Sequence, residues 1–585
     1  MKLNKSSGQI SFLKLILLTF FCLIVLKLWY VQIYKGEKYS KKAKENRLRQ
    51  QYIYAPRGLI LDRNGHILAE NKPAYGLAII REDCADIEKT LSQVSQWSKI
   101  PLPTLKDKYK HGQKSIPPFK RQLLVSNIPF RKVAMIEPHL MEWPSLQIIA
   151  RPLRYYPCGS MLSHLIGYVG EASEKELNKN KNLQLGDKTG KQGLELIFED
   201  TLRGTKGQKQ IEVNAQGRIL KSSIIEEPQP GNNIYLTIDL ELQEYIWDQL
   251  ENKTGAVIVM SPQNGNILAL VSKPGYNNNV FVQGLKKQKW IDLISNIRHP
   301  LQNRAIQCAY PPGSVFKLIM AGCNLYHDFV STQKKFYCPG SYRLGNRRFH
   351  CWKEEGHGWM NLRTAIKESC DVYFYKLGEK MGVDYISSFA QKYGFNKKTH
   401  IDLPNESKGL IPDREWKHKR FGEKWQGGET INMAIGQGYT LVTPLQIARF
   451  TAALVNGGKL LKPQLLLTKN LKIQNQLPLS DKELDFIVQA MIDTVEEPHG
   501  TAWRLRTKKA TIGGKTGTAQ VIKLTKDRKE KELDQILYKF RDHAWMTSFG
   551  WKKHKEYVVV AFIEHGGHGS SGAGPIVKEI YDYLF

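Results

Sequence analysis

The sequence has no long low-complexity tract, which excludes a largely disordered chain. It is also poor in acidic residues, with 55 Asp and Glu against 86 Lys and Arg and a formal net charge of +31. Such a charge occurs in proteins that bind nucleic acid, anionic membranes or acidic polymers. Because the basic residues are spread along the chain and no nucleic-acid fold signature accompanies them, we expect a lysine-rich solvated surface and no nucleic-acid partner.

The hydrophobic run from Leu15 to Val31 is close to the ~20 residues that span a bilayer. Trp29 and Tyr30 stand where an interfacial aromatic belt would lie. No small-residue cleavage site of the A-x-A kind follows the run, so we expect an uncleaved membrane anchor and not a removed signal peptide.

Lysines flank this run unequally, and by count alone they would place the large domain in the cytoplasm. Three precede the run and five follow it: Lys2, Lys5, Lys14, and then Lys35, Lys38, Lys41, Lys42 and Lys44. The catalytic motifs described below favour the opposite orientation. We therefore expect a single-pass membrane protein with its large domain outside the cytoplasm.

The length of 585 residues predicts roughly two to four folded units. After the anchor, short strand-like runs such as Leu59–Leu61 and Leu77–Ile80 alternate with turn residues, which favours a β-containing module. A Pro/Gly hinge at Glu226–Gly231 indicates a domain boundary. We therefore expect an anchor over 1–34, a second domain over 35–230 and a third over 231–585.

The third domain has the pattern of an α/β unit. The runs Ala256–Met260 and Ile267–Ser272 predict a β-hairpin, since Pro262-Gln-Asn-Gly265 between them is a turn signal. Helical patterns follow up to a last strand at Tyr557–Ile563 and a terminal helix at Pro575–Tyr583. About 330 residues is large for one domain but possible.

A serine and a lysine stand three residues apart at the predicted start of a helix. Ser314 follows Pro-Pro-Gly, and Lys317 then lies on the same helix face, so its amine can reach the serine hydroxyl. A neutral lysine in a desolvated site can accept the hydroxyl proton. The helix N-terminus would stabilise an oxyanion. Alone, however, S-x-x-K is a weak signal, because an exposed N-cap serine beside a solvated lysine gives the same pattern.

Two further motifs follow in a characteristic order. Ser369-Cys370-Asp371 comes after the first motif, and Lys515-Thr516-Gly517-Thr518 lies in a β-rich stretch. The trio S-x-x-K, S-D-N and K-T-G is the signature of serine β-lactamases and penicillin-binding proteins. Coincidence in all three is improbable.

On these motifs the chain resembles the class B penicillin-binding proteins and, within them, the penicillin-binding protein 2 subfamily of elongation-specific transpeptidases. Segments that carry the resemblance run almost end to end: Arg57–Gly65, Gly193–Glu195, Val213–Gly217, Gly255–Gly265 and Asp542–Trp545. The resemblance implies an α/β (α+β) transpeptidase domain of the penicillin-binding and serine β-lactamase type. It also implies a β-rich pedestal (dimerisation-type) domain before it and one N-terminal transmembrane helix.

The resemblance also implies a role for each motif residue. Ser314 would be the nucleophile and Lys317 its general base, while Ser369 and Asp371 would relay protons to and from the leaving amine. Lys515 would supply positive charge near the substrate. The hydroxyls of Thr516 and Thr518, on either side of Gly517, would hold the substrate's terminal carboxylate. The backbone N–H groups of Ser314 and Thr518 would stabilise the oxyanion.

Position 371 departs from the general pattern, which has Asn there. A carboxylate accepts a hydrogen bond from a lysine ammonium but donates none unless it is protonated. The substitution therefore puts in doubt a role for Asp371 as an amide donor to substrate. Because elongation transpeptidases commonly show Ser-x-Asp, we interpret it as a mark of the subfamily.

Three of the eight cysteines share a region with a histidine, in the series Cys338, Cys351, His357 and Cys370. Three thiolates and an imidazole form a standard structural zinc set, although the spacing is looser than in a C-x-x-C finger. A Cys338–Cys351 disulfide is the alternative. The resemblance favours zinc, and no organic cofactor is expected. Of the other five cysteines, Cys22 belongs to the predicted anchor. The remaining four are expected to be small buried hydrophobic residues: Cys84, Cys158, Cys308 and Cys323.

The resemblance implies D,D-transpeptidation between peptidoglycan stem peptides, with β-lactams as inhibitors. It also implies a location in the bacterial cytoplasmic (inner) membrane with the large domain on the periplasmic, extracytoplasmic side. A D,D-carboxypeptidase or a β-lactam sensor would use the same three motifs. A hypothesis from a different functional class is that the chain acts as a scaffold. It would dock and activate a RodA-like membrane glycosyltransferase among the proteins of the elongation complex. The scaffold is compatible with catalysis, and the intact motifs indicate that catalysis is retained.

Overall fold

A computed structural model describes residues 4–180, 182–184, 186–213, 219–468, 470–521 and 536–585. The chain divides into two compact units, each discontinuous in sequence. The smaller unit comprises Met1–Pro56, Pro73–Leu153 and Arg203–Gly231, and the larger unit comprises Arg57–Lys72, Arg154–Leu202 and Asn232–Phe585. The division into 1–34, 35–230 and 231–585 expected from the sequence stays a prediction.

The strands are β1 Leu48–Ile53, β2 Ile60–Leu61, β3 Ile67–Ile79, β4 Gln122–Ile128, β5 Leu146–Tyr155, β6 Val169–Glu171, β7 Lys188–Gly190, β8 Gly207–Val213, β9 Ile219–Glu226, β10 Ile234–Tyr235, β11 Gly255–Met260, β12 Ile267–Lys273, β13 Phe336–Cys338, β14 Ser341–Leu344, β15 Arg347–His350, β16 Gly358–Met360, β17 Lys459–Leu461, β18 Ile473–Gln476, β19 Thr511–Ala519, β20 His543–Lys552 and β21 Lys555–Ile563.

The α-helices are α1 Asn4–Trp29, α2 Gly36–Arg47, α3 Ile87–Ser98, α4 Leu102–Ser115, α5 Phe130–Ile136, α6 Ser163–Ile166, α7 Glu174–Lys179, α8 Gly193–Ile197, α9 Glu199–Leu202, α10 Leu240–Gln249, α11 Asn279–Val282, α12 Lys287–Ile294, α13 Lys317–His327, α14 Leu362–Lys367, α15 Asp371–Met381, α16 Val383–Lys392, α17 Arg414–Phe421, α18 Gly427–Ala434, α19 Pro444–Val455, α20 Asp481–Glu496 and α21 Gly574–Leu584.

The smaller unit begins with the apolar helix that the sequence predicts. Within the described residues, one helical stretch is long and apolar enough to cross a membrane, Phe12–Tyr34, with a mean hydropathy of 2.3. It contains the expected run Leu15–Val31. Its side chains are exposed in the isolated chain, as they are in a helix that faces lipid.

The core of the smaller unit lies between helices and an antiparallel sheet. Strands β4 and β5 pair with β3, and α3, α4 and α5 cover them through buried residues such as Leu91, Leu105 and Val133. A second sheet has the order β1-β8-β9. The β-containing module expected after the anchor is thus present.

The larger unit is built on a five-stranded antiparallel sheet in the order β12-β11-β21-β20-β19. Every residue of β11 is buried, as expected for a continuous apolar run covered on both faces. Helices α10 and α21 share one hydrophobic cluster with the sheet, and the buried helix α19 also packs on it. The predicted hairpin, last strand and terminal helix correspond to β11–β12, β21 and α21.

Two segments that carry the family resemblance meet in a buried ion network of the larger unit. Arg57 Nε lies 2.5 Å from Glu195 Oε2, and Arg154 Nε lies 2.6 Å from Glu195 Oε1. Asp62 accepts a hydrogen bond from the backbone N–H of Leu240, the first residue of α10. The segment Val213–Gly217 lies outside the described residues except for Val213.

Candidate active site

Ser314 lies on a single 3₁₀ turn, Gly313–Phe316, which leads directly into α13. Gly313 has a φ of 53°, and a Cβ at this position would stand 2.5 Å from the carbonyl oxygen of Thr518. Only glycine fits a left-handed residue at such a close approach. The close packing of the turn on β19 places the first and third sequence motifs side by side.

The residues before Ser314 are fixed by several long-range hydrogen bonds. The backbone of Tyr310 exchanges two hydrogen bonds of 2.9 Å with Val442, and the Tyr310 hydroxyl donates to Glu564 Oε1 at 2.5 Å. Trp545 Nε1 donates to the carbonyl oxygen of Pro311 at 2.9 Å. These hydrogen bonds could not be predicted from the sequence, because nothing near Tyr310 indicates partners more than 100 residues away.

Lys317 is fully buried, and its amine contacts the second motif. Nζ lies 2.8 Å from the carbonyl oxygen of Ser369, 3.1 Å from Ser369 Oγ and 2.6 Å from Asp371 Oδ1. No hydrogen bond within the described residues joins Lys317 Nζ to Ser314 Oγ. The shared helix face therefore brings the two residues close, while the lysine amine is held by Ser369 and Asp371.

Ser369 bridges two buried lysines. Its Oγ lies 3.1 Å from Lys317 Nζ and 2.9 Å from Lys515 Nζ. Its φ of 55° is in the left-handed region, which is uncommon for serine and typical of residues held in place at functional sites. Burial, together with the nearby amine of Lys317, lowers the pKa of Lys515 well below its usual value.

Asp371 begins α15, and both of its carboxylate oxygens have partners. Oδ1 pairs with Lys317 Nζ, and Oδ2 accepts a hydrogen bond of 2.9 Å from the backbone N–H of Trp352. Burial raises the pKa of Asp371, while the attraction of Lys317 opposes this shift. The carboxylate accepts a hydrogen bond from a lysine, which is the contact that sequence analysis indicated for Asp at this position.

The third motif lies on β19, which pairs with β20. Thr516 Oγ1 donates to Thr501 Oγ1 at 3.1 Å, and Gly517 lies against Pro312, whose carbonyl oxygen would stand 2.8 Å from a Cβ at position 517. Lys515, Thr516 and Gly517 are buried, and Thr518 is half-buried.

Two loops support Thr518. Gln437 Nε2 donates to the Thr518 carbonyl oxygen at 3.0 Å, and the backbone N–H of Gly569 donates to Thr518 Oγ1 at 3.4 Å. Neither loop belongs to a recognised motif, so the sequence gives no indication of these contacts.

The four residues of the predicted metal set lie together. The sulfur atoms of Cys338, Cys351 and Cys370 and one ring nitrogen of His357 all lie within 4.8 Å of one another. His357 Nδ1 stands 3.6 Å from Cys338 Sγ and 3.5 Å from Cys351 Sγ. Hydrogen bonding from the thiols of Cys351 and Cys370 lowers the pKa of Cys338, and the same cluster raises the pKa of Cys370. The arrangement is that of four soft or borderline ligands that face one point.

This Cys/His cluster is connected to the second motif through Trp352, the residue after Cys351. The Trp352 backbone N–H donates to Asp371, and its indole N–H donates to the Ser369 carbonyl oxygen at 3.1 Å. Cys370 itself stands between Ser369 and Asp371. Hydrogen bonds of Trp352 therefore join the segment of the Cys/His cluster to the residues that hold the Lys317 amine.

All eight cysteines lie in the described part of the chain and carry free thiols, so the alternative Cys338–Cys351 disulfide is not formed in this structure. Of the four expected to be buried, Cys323 is buried. The expectation is wrong for Cys84, Cys158 and Cys308, which are half-buried because they lie near the surface of their units.

Comparison with known proteins agrees with this geometry. The model of the penicillin-binding protein transpeptidase domain matches residues 255–582, and that of the penicillin-binding protein dimerisation domain matches residues 52–236. The peptidoglycan D,D-transpeptidase MrdA of Acinetobacter baumannii is 34% identical over 97% of this chain and 86% of its own. The protein of that name from Escherichia coli K12 is 32% identical over 98% of this chain and 93% of its own.

Solved structures give the same result. The penicillin-binding protein PBP2 of Helicobacter pylori, in its complex with MreC, has a TM-score of 0.81 and 32% sequence identity over 92% of this chain and 99% of its own. A structure of Pseudomonas aeruginosa PBP2 has a TM-score of 0.69 and 29% identity over 92% of this chain and 96% of its own. The chain therefore belongs to the penicillin-binding proteins, in the branch that contains penicillin-binding protein 2, with a dimerisation domain followed by a transpeptidase domain.

Proposed function

We propose that the chain is a peptidoglycan D,D-transpeptidase that cross-links stem peptides through an acyl-enzyme on Ser314. The observation that carries the proposal is the convergence of the three motifs, in which Ser369 Oγ bridges the amines of Lys317 and Lys515 beside the Ser314 turn. A serine beside a buried lysine that can act as its base, with a second serine to carry protons, is suited to acyl transfer through a serine ester.

In the first step Ser314 Oγ forms a bond to the carbonyl carbon of the penultimate D-alanine. Lys317 takes the serine proton and must be neutral to do so. At rest Lys317 and Asp371 form an ion pair of 2.6 Å, and the lysine proton passes to the Asp371 carboxylate before the attack. The backbone N–H groups of Ser314 and Thr518 stabilise the oxyanion.

In the second step the C–N bond to the terminal D-alanine breaks. Its amine leaves with a proton delivered through Ser369, which contacts both lysines. An amine of a neighbouring stem peptide then attacks the ester carbonyl, the ester C–O bond breaks, and Ser314 Oγ takes up the proton that the amine loses as the cross-link forms. Lys515 and the hydroxyls of Thr516 and Thr518 hold the carboxylate of the terminal D-alanine until that residue leaves.

A purified full-length chain tests this function directly. Supplied with a glycan polymer that bears pentapeptide stems, the wild type should form cross-linked dimers, and Ser314→Ala should form none. A product with shortened stems and no dimers would instead indicate a D,D-carboxypeptidase.

We expect Lys515→Met to separate catalysis from stability. Acylation should fall by about 10²-fold, because one positive charge beside the substrate is lost. A lysine whose pKa is lowered in the folded state destabilises the protein at pH values below that lowered pKa. This destabilisation disappears as the pH rises to about 10.4, the pKa of a lysine in the unfolded chain. The stability of the variant relative to wild type should therefore decrease between pH 7 and pH 10. Denaturant unfolding at both pH values measures it, and a difference independent of pH would contradict the lowered pKa of Lys515.

The Cys/His cluster fits one structural zinc held by Cys338, Cys351, His357 and Cys370. A four-ligand site of this kind leaves no open position, so the metal would supply folding energy and no chemistry. The four side chains would hold the segment that enters Ser369 and Asp371. Three thiols that lie this close together cannot all ionise unless a cation balances their charge.

The chain is proposed to be anchored in the cytoplasmic membrane with its transpeptidase domain outside, as a substrate in the cell wall requires. The helical stretch Phe12–Tyr34 would be the single span. Protease added to spheroplasts should digest the large domain and leave a cytoplasmic marker intact. Full protection of the domain would place it in the cytoplasm, as the lysine count around the anchor suggests.

The partners proposed for the chain are proteins of the cell-elongation complex, including a RodA-like membrane glycosyltransferase. One of the similar structures, the Helicobacter pylori PBP2, was solved in a complex with MreC. Another comes from work on a peptidoglycan synthase complex that coordinates polymerisation and cross-linking. Residues 1–34 as anchor and 35–230 as pedestal would provide the docking surfaces, and 231–585 the chemistry.

A further inference from the structure

The larger unit contains a second concave site, a cavity of about 430 Å³ that is distinct from the residues around Ser314. Its walls come from the segments that contain His164, Gln192, Tyr276, Trp290 and Gln302. Cavities of about 300–1,000 Å³ are typical of sites for small ligands or polymer segments. None of the roles proposed for the three motifs uses this cavity.

The lining is uncharged, although the chain has a formal net charge of +31. No Asp, Glu, Lys or Arg is among its lining residues. The one titratable imidazole, that of His164, is neutral at pH 7, because burial lowers its pKa to about 4. A charged ligand would therefore find no counter-charge in the cavity, which favours a neutral ligand.

One side of the cavity is aromatic. The rings of Tyr168 and Phe281 stack with centroids 4.0 Å apart, and Tyr276 stands edge-on to both. Trp290 lies at the rim with 43% of its surface exposed. The exposed ring of Trp290 offers a flat aromatic face that can pack on the C–H face of a ring-shaped ligand.

Another side of the cavity carries amides with unused donors. Asn303 Oδ1 accepts from the backbone N–H of Ala305, and Gln307 Oε1 accepts from the backbone N–H of Asn303. The side-chain NH₂ groups of Asn303 and Gln302 make no hydrogen bond to the described residues. Amide side chains of this kind can bind hydroxyl and acetamido groups with both a donor and an acceptor.

The walls of the cavity are held in place by the fold. His164 Nε2 contacts the carbonyl oxygen of Pro300 at 2.8 Å, and the Tyr276 hydroxyl donates to the carbonyl oxygen of Ser163 at 3.3 Å. Residues 302–308 of the lining continue directly into Tyr310 and the turn that carries Ser314. An occupant of the cavity would therefore lie beside the segment that positions the nucleophile.

We propose that this cavity binds a neutral, ring-shaped saccharide with acetamido groups, namely a segment of the glycan strand to which the stem peptides are attached. The inference rests on the proposed function for the identity of the polymer, and on the uncharged aromatic and amide lining for the ligand class. Glycan bound here would keep a stem peptide near Ser314 without contact with the reacting atoms.

The test uses the full-length chain in detergent and the tetramer of N-acetylglucosamine as the probe, with binding followed by calorimetry. We expect the tetramer to bind and Trp290→Ala and Gln302→Ala to weaken its binding by about tenfold each. Trp359→Ala, which removes an exposed tryptophan elsewhere, is the matched control and should leave binding unchanged. A sulfated oligosaccharide should not compete, because the lining carries no positive charge.

Acylation by a fluorescent penicillin separates this inference from the proposed function. All three variants should be acylated at the wild-type rate, since none alters the Ser314 site. If the tetramer does not bind to the wild type, or if Trp290→Ala binds it equally well, the glycan site is wrong while the transpeptidase stands. Competition by the sulfated oligosaccharide would overturn the inference in the same way.

Discussion

Lys317→Met should lower the rate at which a β-lactam acylates Ser314 by about 10³-fold, within the range found for loss of a general base. The methionine fills the volume of the lysine stem, but nothing then accepts the Ser314 proton. The variant also leaves the buried carboxylate of Asp371 without its partner at 2.6 Å. Loss of one member of a buried ion pair costs about 3–5 kcal/mol of stability.

The double variant Lys317→Met/Asp371→Asn separates the two effects. It removes both charges, so its stability should return towards that of the wild type, while acylation stays as slow as in Lys317→Met. Denaturant unfolding and stopped-flow acylation measure the two quantities on the same preparation. If the double variant recovered acylation together with stability, the contribution of Lys317 would be structural and not that of a base.

If the proposed zinc is bound, Cys351→Ser should abolish its binding and lower the melting temperature by about 10 °C, because loss of a metal is among the changes that cost more than about 4 kcal/mol. Acylation should slow as well. Trp352, the next residue, donates one hydrogen bond to Asp371 and another to the Ser369 carbonyl oxygen. Release of the Cys351 thiolate therefore loosens the groups that hold the Lys317 amine.

Cys84→Ser is the matched control, since Cys84 is half-buried and lies in the smaller unit. It should retain one zinc per chain and wild-type acylation. Elemental analysis of protein purified without chelator gives the metal content of each variant. A wild type with essentially no zinc and a Cys338–Cys351 disulfide by mass would contradict the structural zinc site.

The motif residues could be identified from the sequence, because each motif is a short run of neighbouring residues with a characteristic spacing. The order of S-x-x-K, Ser369-x-Asp371 and Lys515-Thr-Gly indicates the family and, through it, the fold of the larger unit. The hairpin at Ala256–Ser272 and the terminal strand and helix follow from apolar runs and turn residues alone. The same holds for the apolar N-terminal helix, which follows from length and hydropathy.

The contacts that position these residues could not be predicted from the sequence. Spacing places Lys317 on the face of Ser314, whereas packing directs its amine to Ser369 and Asp371. The hydrogen bond between Tyr310 and Glu564 joins residues 254 positions apart, and no local pattern encodes such a pair. Likewise, burial of individual cysteines depends on tertiary packing, which is why the expectation for Cys308 is wrong.

Peptide mass spectrometry after incubation with a penicillin shows directly whether Ser314 forms the acyl-enzyme. We expect one adduct per chain, located on the peptide that contains Ser314 and absent from Ser314→Ala. An adduct on another residue, or an equal adduct on the Ser314→Ala variant, would contradict it.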